Sequence, residues 1–196
     1  MKITIVGDIM CEPPILAGGK QPDGSYDFAP YFTHVQDYVG RADYAVANLE
    51  TTLCGPDNGY AYSGMPLFNC PDGIADASLN AGFDMLLTGN NHSFDTGLDG
   101  YMRTIEVVQG AGLEKLGTMT GPEDEKWIIK DLNGIKVGML SYTYETSSGN
   151  GEYPAHEEIY RQELSVLERN PNLKVTFAHF FFMSGCPERL EQIFEE

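Results

Sequence analysis

Six side chains carry the chemistry open to this sequence: Asp8, Glu50, Asn91, His92, Asp95 and His179. Asp8 follows the apolar run Ile3 to Val6, and Glu50 comes just past the run Asp43 to Ala47. The pair Asn91-His92 follows Phe83 to Leu87, and His179 follows Val175 to Ala178. Carboxylates and an amide carbonyl are oxygen ligands, whereas an imidazole can ligate a metal or carry a proton. Two carboxylates brought together without a cation would raise the pKa of one of them strongly. A divalent ion removes that repulsion, and oxygen donors with imidazole suit Mn, Fe or Zn better than Ca. A local explanation competes. Asp8 would then be a turn residue, Asn90 and Asn91 would make a tight turn, and Asp95 would cap the next helix. Four separate strand ends finishing in such groups favour convergence on one site.

The elements that must position these groups alternate between strand and helix. The first strand contains Ile3, Ile5 and Val6, and residues 11–29, rich in Gly and Pro, read as a long loop. Tyr31, Phe32, Val35, Tyr38 and Val39 recur at helical spacing, with His34 on the surface. A second strand spans 43–47, a second long loop 53–67, and a helix runs from Pro71 through Leu79 to Gly82. After the third strand, Leu98, Met102, Ile105 and Val108 mark one face of a helix that ends at Gly110-Ala111-Gly112. A fourth strand covers 113–116. Residues 127–132 and 135–142 flank Asn133-Gly134, a hairpin turn signal, with Trp127 as a packing residue. A Gly-rich loop at 145–154, a helix over 155–168 starting near an exposed His156, a strand from Leu173 to Phe177 and a terminal helix over 188–194 complete the reading. Such alternation predicts an α/β fold with a largely parallel sheet, whose strands share one carboxyl rim where sites form.

Composition sets limits. A chain of 196 residues that is 42% hydrophobic supports one domain, 1–196, with a real core. Lys and Arg number 12 against 29 Asp and Glu, so the formal net charge is 12 − 29 = −17. That argues against nucleic acid or an anionic membrane as partner. No apolar run is of membrane-spanning length. The first residues enter a strand without a leader-like segment, so a cytoplasmic protein is expected, or an extracytoplasmic one if a leader has been removed. The four cysteines Cys11, Cys54, Cys70 and Cys186 lack C-x-x-C spacing. They are expected as free thiols or buried small residues, with one disulfide left open.

Three motifs, Gly7-Asp8-Ile9-Met10, Ala47-Asn48-Leu49-Glu50 and Asn90-Asn91-His92-Ser93-Phe94-Asp95-Thr96-Gly97, resemble in order those of the CapA-type family of poly-γ-glutamate capsule biosynthesis. That family lies within the calcineurin-like metallophosphatase superfamily. Ala81-Gly82-Phe83-Asp84, Ala111-Gly112-Leu113 with Gly117, and Gly134 to Gly138 fit as well. The resemblance covers about residues 1–145 and a short piece around His179. It implies a metallophosphatase-like α-β-β-α sandwich holding two divalent ions about 3.5–4 Å apart. Asp8, Glu50, Asn91 and His179 would be the ligands, with Glu50 at the bridging position. His92 would protonate the leaving group, and Asp95 would orient His92. The implied activity is hydrolysis of a phosphoester, or of a γ-glutamyl or other amide bond, in a small molecule or glutamyl polymer.

Three departures qualify that reading. No histidine stands two positions after Asp8, His179 is followed by Phe180-Phe181-Phe182, and the family's last motif, Gly-x-His-x-His, is absent. They imply a fold incomplete at the C-terminus, and they keep open a non-enzymatic scaffold or polymer-handling subunit. The three phenylalanines imply an exposed apolar patch and a homodimer.

Overall fold

Strand β2 (Tyr44–Leu49) is buried along its whole length and forms the spine of the fold. In the computed structural model, which describes residues 1–121, 124, 127–143 and 175–181, β2 lies between β1 (Ile3–Ile9) and β3 (Met85–Leu87). With β4 (Glu114–Leu116) these make a parallel sheet ordered β1-β2-β3-β4. A second sheet contains β5 (Trp127–Leu132) antiparallel to β6 (Ile135–Thr143), and β7 (Val175–Phe181) parallel to β6. Asn133 and Gly134 turn the β5–β6 hairpin with φ of 56° and 83°. Positive φ at both central residues is what a right-twisted two-residue hairpin requires.

The two faces of β2 divide the core. Side chains alternate across a strand, so Ala45, Ala47 and Leu49 join one apolar cluster while Tyr44 and Val46 join another. The first cluster takes in Ile74 and Ala75 of α4 (Gly73–Ala81) and Val108 of α5 (Gly97–Gly110). The second joins Met85, Leu87 and Leu116 to Val137 and Met139 of β6. Helices therefore cover one face of the parallel sheet and the second sheet covers the other. The expected metallophosphatase-like α/β class is the one observed.

Several sequence expectations change in detail. The segment read as a loop over 11–29 contains a helix, α1 (Pro13–Gly19), because proline suits the first helical position, where its missing N–H is no loss. The helix expected over 31–39 is two single turns, α2 (Ala29–Phe32) and α3 (Gln36–Val39). Each has one buried anchor, Phe32 and Val39, and β-branched Thr33 and Val35 lie between them. The cysteine expectation is corrected: Cys11 and Cys70 form a disulfide, and Cys54 is a buried free thiol. Sequence spacing cannot reveal a pair joined by folding across 59 residues. The loop at 145–154, the helices at 155–168 and 188–194, His156, Phe182 and Cys186 lie outside the described residues. Among the described residues no helix is long and apolar enough to cross a membrane.

Strands β3 and β4 end in a glycine pair that lets their carboxyl ends close together. Gly117 has φ of +109°, and a Cβ on it would stand 2.5 Å from the Gly89 nitrogen and 2.7 Å from the Ser141 hydroxyl. Gly117→Ala is expected to destabilise the protein by roughly 2–4 kcal/mol, because the nearest atoms are backbone and cannot move aside. Equilibrium urea denaturation checks this; a loss under about 0.5 kcal/mol would show that the two loops are not in contact.

Candidate functional site

A bulge in β1 sets the direction of Asp8. Ile5 pairs with Val46, but Asp8 pairs with Asn48, so three residues of β1 span what two residues of β2 span. Without the extra residue, alternation would place Gly7 opposite Asn48 and turn Asp8 toward the helices. The bulge instead puts Asp8 on the face shared by Asn48 and Glu50, and leaves Ile9 opposite Leu49, packed against the helix-side core. Asp8 lies within β1, not beyond it as the sequence suggested.

Asn48 joins the two carboxylates. Its Nδ2 donates to Asp8 Oδ1 at 2.9 Å and to Glu50 Oε2 at 2.9 Å. Its Oδ1 accepts from Asn90 Nδ2 at 3.0 Å, which fixes the orientation of the amide. Asn90 Nδ2 also donates to the Leu49 carbonyl at 2.8 Å, and Asn90 Oδ1 accepts the His92 amide at 3.1 Å. One asparagine thus ties the turn after β3 to the end of β2. Asn91, on the same turn, is buried.

The imidazole is held from one side. His92 Nδ1 donates to Asp95 Oδ2 at 2.7 Å, and the same oxygen accepts the Phe68 amide at 2.6 Å. The Phe68 ring meets His92 edge-on, with centroids 4.6 Å apart and planes at 82°. Held this way, His92 turns Nε2 toward Glu50 Oε1, 3.9 Å away. Asp95 is committed to His92 and Phe68, and α5 starts at Gly97 without a side-chain cap. The cap explanation for Asp95 does not describe this geometry.

Glu50 is 5% exposed. Burial first, and then the neighbouring Asp8 carboxylate, push its pKa from 4.5 up to about 7; His92 and the Asn48 amide pull the other way. Among the described residues no lysine or arginine forms an ion pair with either carboxylate. Two crowded carboxylates, one driven toward neutrality, with a buried amide and an imidazole beside them, suit a divalent cation.

Asp8, Glu50, Asn91, His92 and Asp95 therefore gather where β1, β2 and β3 end. His179 is on the other sheet and inside β7, not past its end. Its backbone is in register with Ser141, whose hydroxyl faces Gly89 at the head of the Asn90–His92 turn. Its side chain lies outside the described residues. Sequence reasoning read Asn90 as a turn residue and gave Asn48 and Phe68 no role in the site. A polar residue inside the fully buried β2 was a signal for Asn48. Phe68 had none, because its contacts depend on how a long loop folds back.

Comparison with known proteins bears on the family and the fold. The family model described as bacterial capsule synthesis protein PGA_cap matches residues 2–184. The capsule biosynthesis protein CapA of Bacillus anthracis is 29% identical over 146 residues, which is 73% of this chain and 34% of that protein. The chain thus spans about a third of the length of the curated relative it matches. A crystal structure of a hypothetical protein from Thermus thermophilus aligns with a TM-score of 0.50 at 14% identity, over 92% of this chain and 58% of that one. At that identity the likeness speaks for the fold alone.

Proposed function

This chain belongs to the bacterial capsule synthesis protein family PGA_cap, and from that premise we propose that it is a metal-dependent hydrolase acting in capsule biosynthesis on a glutamyl polymer or a small precursor of one. The observation that supports the reading is the pair of carboxylates, exposed Asp8 and buried Glu50, bridged by Asn48, with His92 Nε2 directed at Glu50. Asp8, Glu50 and Asn91 would hold the metal, joined by His179 from β7. A bound divalent ion would supply Lewis acidity toward a phosphoryl or carbonyl oxygen. The chain's own residues do the rest. Asp95 keeps the Nδ1 proton of His92 in place, leaving Nε2 to hand a proton to the leaving group. Phe68 screens the imidazole from water on one side.

The test is titration of the protein with Mn2+ by calorimetry and electron paramagnetic resonance. Wild type is expected to bind, and Asp8→Asn to bind about 10–100-fold more weakly while keeping its hydrogen bond with Asn48 in altered form. Equal binding by wild type and Asp8→Asn would remove Asp8 from the site. Phosphate monoesters and γ-glutamyl anilides, offered in parallel, separate phosphoester from amide hydrolysis.

A second reading has one observation in its favour. Among the described residues no group of three or more His, Cys, Asp or Glu side chains is placed to hold a metal. On that reading the fold serves as a polymer-handling subunit without turnover. It predicts no stoichiometric Mn2+, with binding of oligoglutamate unchanged by metal.

A further inference from the structure

The Cys11–Cys70 disulfide joins two segments that each touch the candidate site. Cys11 comes three residues after Asp8, and Cys70 comes two residues after Phe68. Both cysteines are fully buried. Phe68 carries the link inward: its amide donates to Asp95, and its ring packs on His92. In the segment leading to Phe68, Met65 is 70% exposed and Leu67 41%, while Tyr62 packs on Tyr26 and the helix-side core. Its other ties are hydrogen bonds: the Thr52 amide and hydroxyl donate to the Phe68 carbonyl, the Cys70 amide to the Thr52 carbonyl and the Cys54 amide to Asn69 Oδ1, Ser63 and Asn69 pair through their backbones, and the Met65 amide donates to Glu12. The crosslink adds a covalent restraint two residues from Phe68.

We propose that Cys11 and Cys70 are positioning residues, whose disulfide fixes Phe68 and through it the His92–Asp95 pair. This rests on the reading of His92 as proton donor. The site is then fully ordered only in the oxidised chain, which fits a compartment that oxidises thiols. Reduction by a dithiol delivers two electrons and two protons to the S–S bond, giving two thiols and the reductant's own disulfide. Because the sulfurs are buried, exchange waits on local opening of the 60–70 segment.

The test uses the full chain, prepared under oxidising conditions and alkylated in denaturant. Two of the four cysteines, Cys54 and Cys186, are expected to react before reduction and all four after it. Reaction of all four beforehand overturns the proposal. The second readout is the Nδ1 proton of His92 by nitrogen-15 NMR, assigned by its absence in His92→Gln. It is expected to be protected in the oxidised protein and to exchange at least about tenfold faster in Cys11→Ser/Cys70→Ser. Phe68→Leu, with the disulfide intact, is expected to speed exchange similarly. Reoxidation of reduced wild type should restore protection. Equal exchange in all four forms overturns the proposal even where the double variant is folded. Mn2+ titration is scored separately: binding with an indifferent His92 proton sinks this inference alone, whereas a coupled proton without Mn2+ binding sinks the hydrolase reading alone.

Discussion

His92→Ala is expected to lower turnover by about 10²–10⁴-fold while changing Mn2+ affinity by less than about threefold. The geometry separates the two effects. His92 reaches the carboxylate pair only through Nε2, at 3.9 Å from Glu50, and its other nitrogen is committed to Asp95. Removing the ring takes away a proton donor without removing Asp8, Glu50 or Asn91. The loss should grow with the basicity of the leaving group. An alkyl phosphate or alkyl amide needs the proton, whereas p-nitrophenolate departs nearly as well without it. A steep dependence in wild type that flattens in His92→Ala identifies the donor. Equal losses across leaving groups would mean that His92 supports the site only structurally. The alanine also takes one of two hydrogen-bond donors from the buried Asp95 carboxylate, at a cost of about 1–3 kcal/mol. His92→Gln, which retains a donor, is the control for that damage. If the variant loses turnover and metal together, the imidazole is itself a ligand and its assigned role is wrong.

How far the sequence showed this arrangement depends on whether the controlling contacts are local. Strand β2 was legible because an apolar run of its length is buried on both faces, and the hairpin because Asn133-Gly134 encodes its own turn. The placement of polar groups after apolar runs correctly suggested one rim for Asp8, Glu50 and the Asn90–His92 turn. The bulge was not legible. It appears only as a register difference between β1 and β2, yet it decides which face Asp8 occupies. Asn48 and Asn90 were visible as motif members, but their function as struts depends on two strand ends meeting. The disulfide and Phe68 belong to a loop whose path is set by tertiary contacts, and no periodicity encodes those. Residues 13–19 show the reverse error, since Gly and Pro density suggested loop where proline in fact opens a helix. His179, which the resemblance counts as a ligand, reads from sequence as a strand-end residue and stands inside β7. Its contribution to Mn2+ binding is open to the same titration, with His179→Ala beside Asp8→Asn.

The metal-free protein is expected to lose stability as pH rises from about 4.5 to about 7, by roughly 3 kcal/mol from Glu50 alone. The sign follows from where the proton is held. The folded state raises the Glu50 pKa from 4.5 to about 7, so within that window it binds a proton that the unfolded chain has released. Stability from this group is fully present below about 4.5, falls through the window, and levels off above about 7. The cause is the cost of a buried charge beside Asp8, so Glu50→Gln should remove the slope while retaining a side chain of similar size. The comparison is the difference between wild type and Glu50→Gln in urea denaturation across that range, which cancels the general effect of a net charge of −17. Mn2+ should act in the opposite sense. It binds the ionised carboxylate, so the stabilisation it gives should increase as pH passes about 7 and should be small near about pH 5. Glu50→Gln should lose most of that gain. A wild type whose metal-free stability runs parallel to Glu50→Gln would show that folding places no net penalty on the Glu50 charge, and the electrostatic reason for a cation at this rim would be gone.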